Sequence, residues 1–138
     1  MDWWSNLDNR NANPNDYKNA CALRVSRALN YSGIIIPDLP GKTLKGADGK
    51  NYFLGAKNLN EWMKKTFGPP THHLTQTQGG AHGVNFAGLL SGKKGIYSMV
   101  SNKQSWGSGH ADIIDNSTCA TGCHFDGPVS FIDIWVLQ

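Results

Sequence analysis

The stretch Asn19-Ala20-Cys21-Ala22-Leu23-Arg24-Val25-Ser26-Arg27-Ala28-Leu29-Asn30-Tyr31-Ser32-Gly33 frames the reading of the whole chain. Ala22, Val25, Ala28 and Leu29 recur at helical spacing, which predicts a helix over about residues 19–30. Asn19 serves as its N-cap, Gly33 as its stop signal, and Arg24 and Arg27 project elsewhere on it. Cys21 then falls in or near the first turn, where unpaired N–H groups and the helix dipole favour a thiolate, the nucleophilic form. The competing reading is a small core residue, since free cysteine is among the most buried types.

Working outward, residues 2–18 are polar, Asn-rich and interrupted by Pro14. They read as an irregular lead-in docked by Trp3 and Trp4. Residues 37–52 form a Pro/Gly/Lys-rich loop. A second helix is predicted over about residues 59–67, with Asn58 as cap and Glu61 completing a capping box. Leu59, Trp62, Met63 and Phe67 form its buried stripe, and Gly68-Pro69-Pro70 ends it. Residues 71–94 are turn-rich, with a short apolar turn over 84–90. The pattern then changes to strands, at 95–100, 110–114 and a nearly continuous apolar run at 131–137 read as central. Helices first and strands second predict an α+β domain spanning residues 1–138.

His110 follows the Gly-rich turn Trp106-Gly107-Ser108-Gly109 and opens the strand Ala111-Asp112-Ile113-Ile114-Asp115. A histidine there, beside glycines that allow close approach, is placed to act as a base. A cysteine on an N-terminal helix and a downstream histidine on a strand are two parts of a thiol acyl-transferase or peptidase. His72, His73, His82 and His124 lie in or beside turn-rich loops and read as solvated. A third group should orient the imidazole. Asp112 lies two residues on, on the same strand face, and Asp115 lies at the strand end. Cys119-Ala120-Thr121-Gly122-Cys123 permits a local disulfide. The alternative, a metal site with His124, lacks a fourth ligand for zinc.

Length and composition bound these readings. The chain has 138 residues, a net charge of +3, 39% hydrophobic residues and three cysteines, enough for one domain with a real core. The weak basic excess does not argue for nucleic acid, and no apolar run is long enough to span a membrane. The N-terminus has no basic region followed by an apolar stretch, so no secretory leader is expected.

Together these blocks resemble the bacterial type VI secretion amidase effectors, family four. The likeness rests on residues 19–33, on Lys93-Lys94-Gly95-Ile96, on Gly109-His110-Ala111-Asp112-Ile113-Ile114-Asp115, on Cys119, Cys123 and His124, and on Ile134-Trp135-Val136-Leu137. It implies a papain-like NlpC/P60 fold, with an N-terminal nucleophile helix packed on an antiparallel sheet. It implies a cysteine amidase that hydrolyses peptidoglycan stem peptides at the D-glutamate–meso-diaminopimelate bond and needs no cofactor or metal. Cys21 would be the nucleophile, His110 the general base, and Cys119–Cys123 a disulfide supporting the active-site loop. The implied partners are the type VI secretion machinery and a cognate immunity protein occluding the active site. The implied route runs from the producer's cytoplasm to the periplasm of a target bacterium. The family pattern places an acid between the paired cysteines. Here that loop is Ala120-Thr121-Gly122, which leaves Asp112, Asp115 or a backbone carbonyl to orient the ring.

Three rivals stand beside this reading. Transpeptidation or deamidation would use the same Cys–His pair. A non-enzymatic cell-wall- or protein-binding module would use the aromatic set Trp3, Trp4, Tyr52 and Trp106. A nuclease-type toxin lacks a basic run or carboxylate cluster to support it.

Overall fold

The computed structural model describes residues 14–136, with side chains from Ala20 onward. Helix α1 (Pro14–Tyr31) is followed by a hairpin of β1 (Thr43–Lys45) and β2 (Asn51–Phe53). Helix α2 (Ala56–Phe67) leads into β3 (His72–Thr75). Three short turns of helix follow: α3 (Gln76–Gly79), a 3-10 turn (Ala81–Gly83) and α4 (Phe86–Leu89). Strands β4 (Lys94–Ser101), β5 (Gly109–Asp115), β6 (Thr118–Cys119) and β7 (Val129–Val136) complete the chain. The main sheet is antiparallel, in the order β3-β7-β4-β5-β6. Among the described residues no helix is long and apolar enough to cross a membrane.

The two faces of the sheet follow from side-chain alternation. Ile96, Ala111 and Trp135 point toward α1 and α2, where Ala22, Val25, Leu29, Leu59, Trp62 and Met63 meet them. Tyr97, Met99, Ile114, Ile132 and Ile134 point the other way, onto Phe86, Leu90 and the paired cysteines. Polar groups fix the layers against each other. Ser26 Oγ accepts from Phe53 N at 2.9 Å and donates to Ala22 O, tying α1 to β2. Asp133 in β7 is fully buried and accepts from Asn60 Nδ2 of α2 at 3.0 Å, with Lys64 Nζ at 3.2 Å and His73 Nδ1 beside it. Asn60 Nδ2 also donates to Ser98 Oγ at 2.8 Å.

Several expectations change. Helix α1 begins at Pro14, not Asn19, so residues 14–18 are helical rather than irregular. Proline is tolerated in a first turn, because the N–H it lacks has no helical partner there. Ala28 is exposed, at the edge of the apolar stripe. Helix α2 begins at Ala56, and the Asn58–Glu61 capping box does not form. Extended Gly55 caps it without a side-chain bond, and buried Ala56 supports the extra turn. The loop at 37–52 contains the β1–β2 hairpin, whose turn holds Asp48 Oδ1 accepting from Lys50 N at 3.0 Å. The turn-rich segment contains β3, an edge strand built on His72–Thr75. The apolar strand β7 is interior but not the middle strand, a place taken by β4. Tyr52 is fully buried, so it belongs to the core and not to an exposed aromatic set. Trp3, Trp4 and Leu137 lie outside the described residues.

Candidate active site

Strand β5 sets the position of His110. Gly109 before it has φ +152°, and a Cβ there would stand 2.0 Å from the carbonyl oxygen of Met99. Only glycine lets β5 lie this close to β4 at the point where the histidine begins. His110 and Asp112 share one face of β5, and His110 Nε2 lies 2.9 Å from Asp112 Oδ2. Both are almost fully buried. Strand β6 pairs with Ile114 and Asp115, so among the described residues no strand pairs with the first half of β5 on that side. Cys21 of α1 hydrogen-bonds to His110. With Nε2 committed to Asp112, the other ring nitrogen, Nδ1, is left for the hydrogen bond with Cys21.

The charge state of His110 follows from its neighbours. Burial works against the imidazolium, but hydrogen bonds to Asp112 and Cys21, and their negative charges, outweigh it and carry the pKa up to about 9. At neutral pH the ring is therefore protonated. Asp112 is held below the usual carboxylate range: burial opposes its charge, but His110, both donors of Thr121 and the Ile113 N–H all stabilise it. Tyr97 is pushed far up by burial and by the Asp112 charge, so it stays a neutral phenol.

The loop after β5 completes the arrangement. Cys119 and Cys123 are joined by a disulfide, so their sulfurs bind each other and not a metal. Gly122 takes φ +107° between them. Thr121 donates to Asp112 Oδ2 from its backbone N at 3.0 Å and from Oγ1 at 2.6 Å. Tyr97 Oη donates to the carbonyl of Cys123 at 2.7 Å, fixing the loop to the sheet. A cleft of about 360 Å³ opens in front of these groups, with Cys21, Arg24, Trp106 and His124 on its walls. A smaller cavity of about 100 Å³ continues from Cys21 and Arg24 toward Asp112 and Thr121. A larger apolar groove of about 410 Å³ lies farther along α1, lined by Leu29, Phe67 and Trp135, and includes neither Cys21 nor His110.

The sequence-predicted residues divide clearly. Cys21, His110 and Asp112 come together. Asp115 does not: it stands exposed at the far end of β5, in register with Lys94. Cys21 lies about two turns past Pro14, not in the first turn, so the N-terminal amides of α1 are not beside it. His124 is exposed, as expected, but it also stands in the site. It adopts φ +56°, and its ring stands 4.7 Å from that of His110 and 6.0 Å from Trp106. Burial and the charge on His110 push its pKa down. Sequence reasoning missed Arg24 and Thr121. Arg24 could have been found from its place three residues past Cys21, which puts both on one helix face. Thr121 carried no signal, because its partner Asp112 is nine residues away across a turn.

Among solved structures, the chain resembles the effector Tae4 from Salmonella typhimurium in complex with the immunity protein Tai4 from Enterobacter cloacae. Identity is 22%, TM-score 0.72, and the match covers 98% of this chain and 96% of that one. Tae4 from Enterobacter cloacae alone gives 22% identity and a TM-score of 0.73, covering 98% and 93%. The Tae4–Tai4 complex from Salmonella Typhimurium gives 24% and 0.67, covering 98% and 95%. The shared fold is α+β and papain-like, of the NlpC/P60 kind. No curated protein matches the chain in sequence. The model of type VI secretion system (T6SS) amidase effector protein 4, Tae4, matches residues 17–136, and with that match over most of its length the chain belongs to the Tae4 family of amidase effectors.

Proposed function

We propose that this protein is an antibacterial cysteine amidase, one catalytic domain that hydrolyses peptidoglycan stem peptides at the amide between D-glutamate and meso-diaminopimelate. The observation that carries the reading is the hydrogen-bonded series Cys21–His110–Asp112–Thr121 at the floor of an open cleft. Cys21 is the nucleophile, His110 the acid and base, and Asp112 the residue that orients and charges the ring.

His110 serves Cys21 first as its hydrogen-bond partner. The thiolate of Cys21 is the attacking form, and the imidazolium hydrogen-bonded to it stabilises its charge. The Cys21 thiolate adds to the amide carbonyl carbon. As the C–N bond breaks, His110 gives its Nδ1 proton to the leaving amine, and a thioester remains on Cys21. Neutral His110 then takes a proton from water, the hydroxide adds to the thioester carbonyl, and the C–S bond breaks. The thiolate and imidazolium are restored. The buried Asp112 carboxylate supports the charged ring through both halves of the cycle.

The related Tae4 structures hold the immunity protein Tai4. By that likeness this protein has a cognate immunity protein that covers the cleft, and it travels through the type VI secretion machinery to a target cell's periplasm. The Cys119–Cys123 disulfide suits an oxidising compartment. The test is product analysis on purified sacculi. Wild type should release peptides with a new D-glutamate carboxyl and a new diaminopimelate amine. Cys21→Ala and His110→Ala should release none and remain folded. Retained cleavage by Cys21→Ala sinks the proposal.

A further inference from the structure

Arg24 has no part in the chemistry of the preceding section, yet it stands beside it. It lies one helical turn past Cys21 on α1, is exposed, and lines both cavities that meet at Cys21. Among the described residues no ion pair or hydrogen bond of its guanidinium occurs. The acid that shares the smaller cavity, Asp112, is already committed. Its Oδ2 takes His110 Nε2 and both donors of Thr121, and its Oδ1 takes the Ile113 N–H. Among the described residues no carboxylate lines the larger cleft, whose walls otherwise present Trp106, Thr121 and the imidazoles of His110 and His124. Among the described residues the cleft in front of the nucleophile therefore carries a guanidinium that makes no ion pair, while the charge on His110 is paired with Asp112.

We propose that Arg24 is the carboxylate-binding residue of this cleft, and that the substrate it selects is an acidic peptide bearing an ionised carboxylate beside the scissile amide. A guanidinium offers two parallel N–H donors that match the two oxygens of a carboxylate, so it fixes orientation as well as charge. From a position one turn from Cys21, that grip holds the peptide with its amide over the sulfur. A neutral carboxamide in the same place would lose the charge and one of the two acceptors. The inference rests on the proposed amidase function for its substrate, though not for its first test.

That first test uses Cys21 as its own probe. The alkylation rate of the native protein is measured with iodoacetate, which carries a carboxylate, and with iodoacetamide, its neutral analogue. Arg24→Gln should lower the iodoacetate-to-iodoacetamide ratio by about tenfold, the scale of a lost hydrogen bond to a charged group. Arg24→Lys, which keeps the charge without the fork, should fall between. A ratio in Arg24→Gln equal to that of wild type overturns the proposal. The second test compares kcat/KM on stem peptides with the flanking carboxylate free or amidated. Wild type should favour the free acid by about tenfold or more, and Arg24→Gln should lose that preference. A preference that survives in Arg24→Gln overturns the assignment. Alkylation needs no turnover, so a wild type that releases nothing from sacculi would count against the amidase function alone.

Discussion

Asp112 accepts hydrogen bonds from His110 Nε2, Thr121 N, Thr121 Oγ1 and Ile113 N, which leaves little of its carboxylate unused. Two predictions belong to this residue scale. His110 owes its raised pKa, near 9, in part to Asp112, so the alkaline limb of the rate profile should lie there, where the imidazolium loses its proton. Asp112→Asn removes the charge that favours the imidazolium and should move that limb about one pH unit or more to lower pH. A limb that stays in place would mean Asp112 does not face the working histidine. Thr121→Val keeps the side-chain shape and the backbone N–H but deletes the 2.6 Å bond to Asp112. A hydrogen bond to a charged group is worth about 1.5–3 kcal/mol, so kcat should fall about tenfold, with Thr121→Ser restoring most of it. Thr121 thus sits where the family pattern expects an acid, and it supports an acid that stands on the strand instead.

The elements show how local signals and packing share the decision. The interior of α1 was legible because Ala22, Val25 and Leu29 repeat with helical period and all are buried. Its start was not, because Pro14 reads as a breaker in sequence and acts as one only inside a helix, not at its first turn. That displacement matters for the chemistry. Cys21 depends on His110, and not on the end of the helix, for its polar partner. The five-stranded sheet was half legible. The apolar runs of β4, β5 and β7 announce themselves, whereas β3 alternates half-buried and exposed residues at an edge, and its His73 is drawn in by Asp133 across the strand pair. Gly109 is the element-scale test. Gly109→Ala forces a Cβ against the Met99 carbonyl at a left-handed φ, and the strain should cost about 2 kcal/mol or more. Denaturant unfolding should show this as a lower midpoint with an unchanged slope. Stability equal to wild type would mean β5 does not approach β4 this closely.

At the scale of the whole molecule, the core and the disulfide have separate jobs. Two layers of buried side chains hold the sheet, with Leu59, Met63, Leu90, Met99, Ile114, Ile132 and Ile134 fully buried, each worth about 1.5–3 kcal/mol. The Cys119–Cys123 link spans only four residues, and closing so short a loop contributes about 2 kcal/mol. Reduction should therefore leave a folded protein but free the loop that carries Thr121 to Asp112. Native thiol titration should find one free cysteine, and after mild reduction three, with amidase activity falling more than the melting temperature. Full activity in the reduced protein would separate the loop from the catalytic geometry.

The sequence by itself determined the order of helices and strands, the apolar periods that fill both faces of the sheet, the Tae4 family and the short list of reactive groups, because all of these are written in local spacing and residue type. It could not choose between Asp112 and Asp115, since both stand within one short strand and differ only in which end of β5 meets α1. It could not see that Arg24 and Cys21 open on one cleft with His124, or that Thr121 braces Asp112. Those relations join segments that are distant in the chain, and only the packing of α1 against β5 and the fold of the loop after it bring them together.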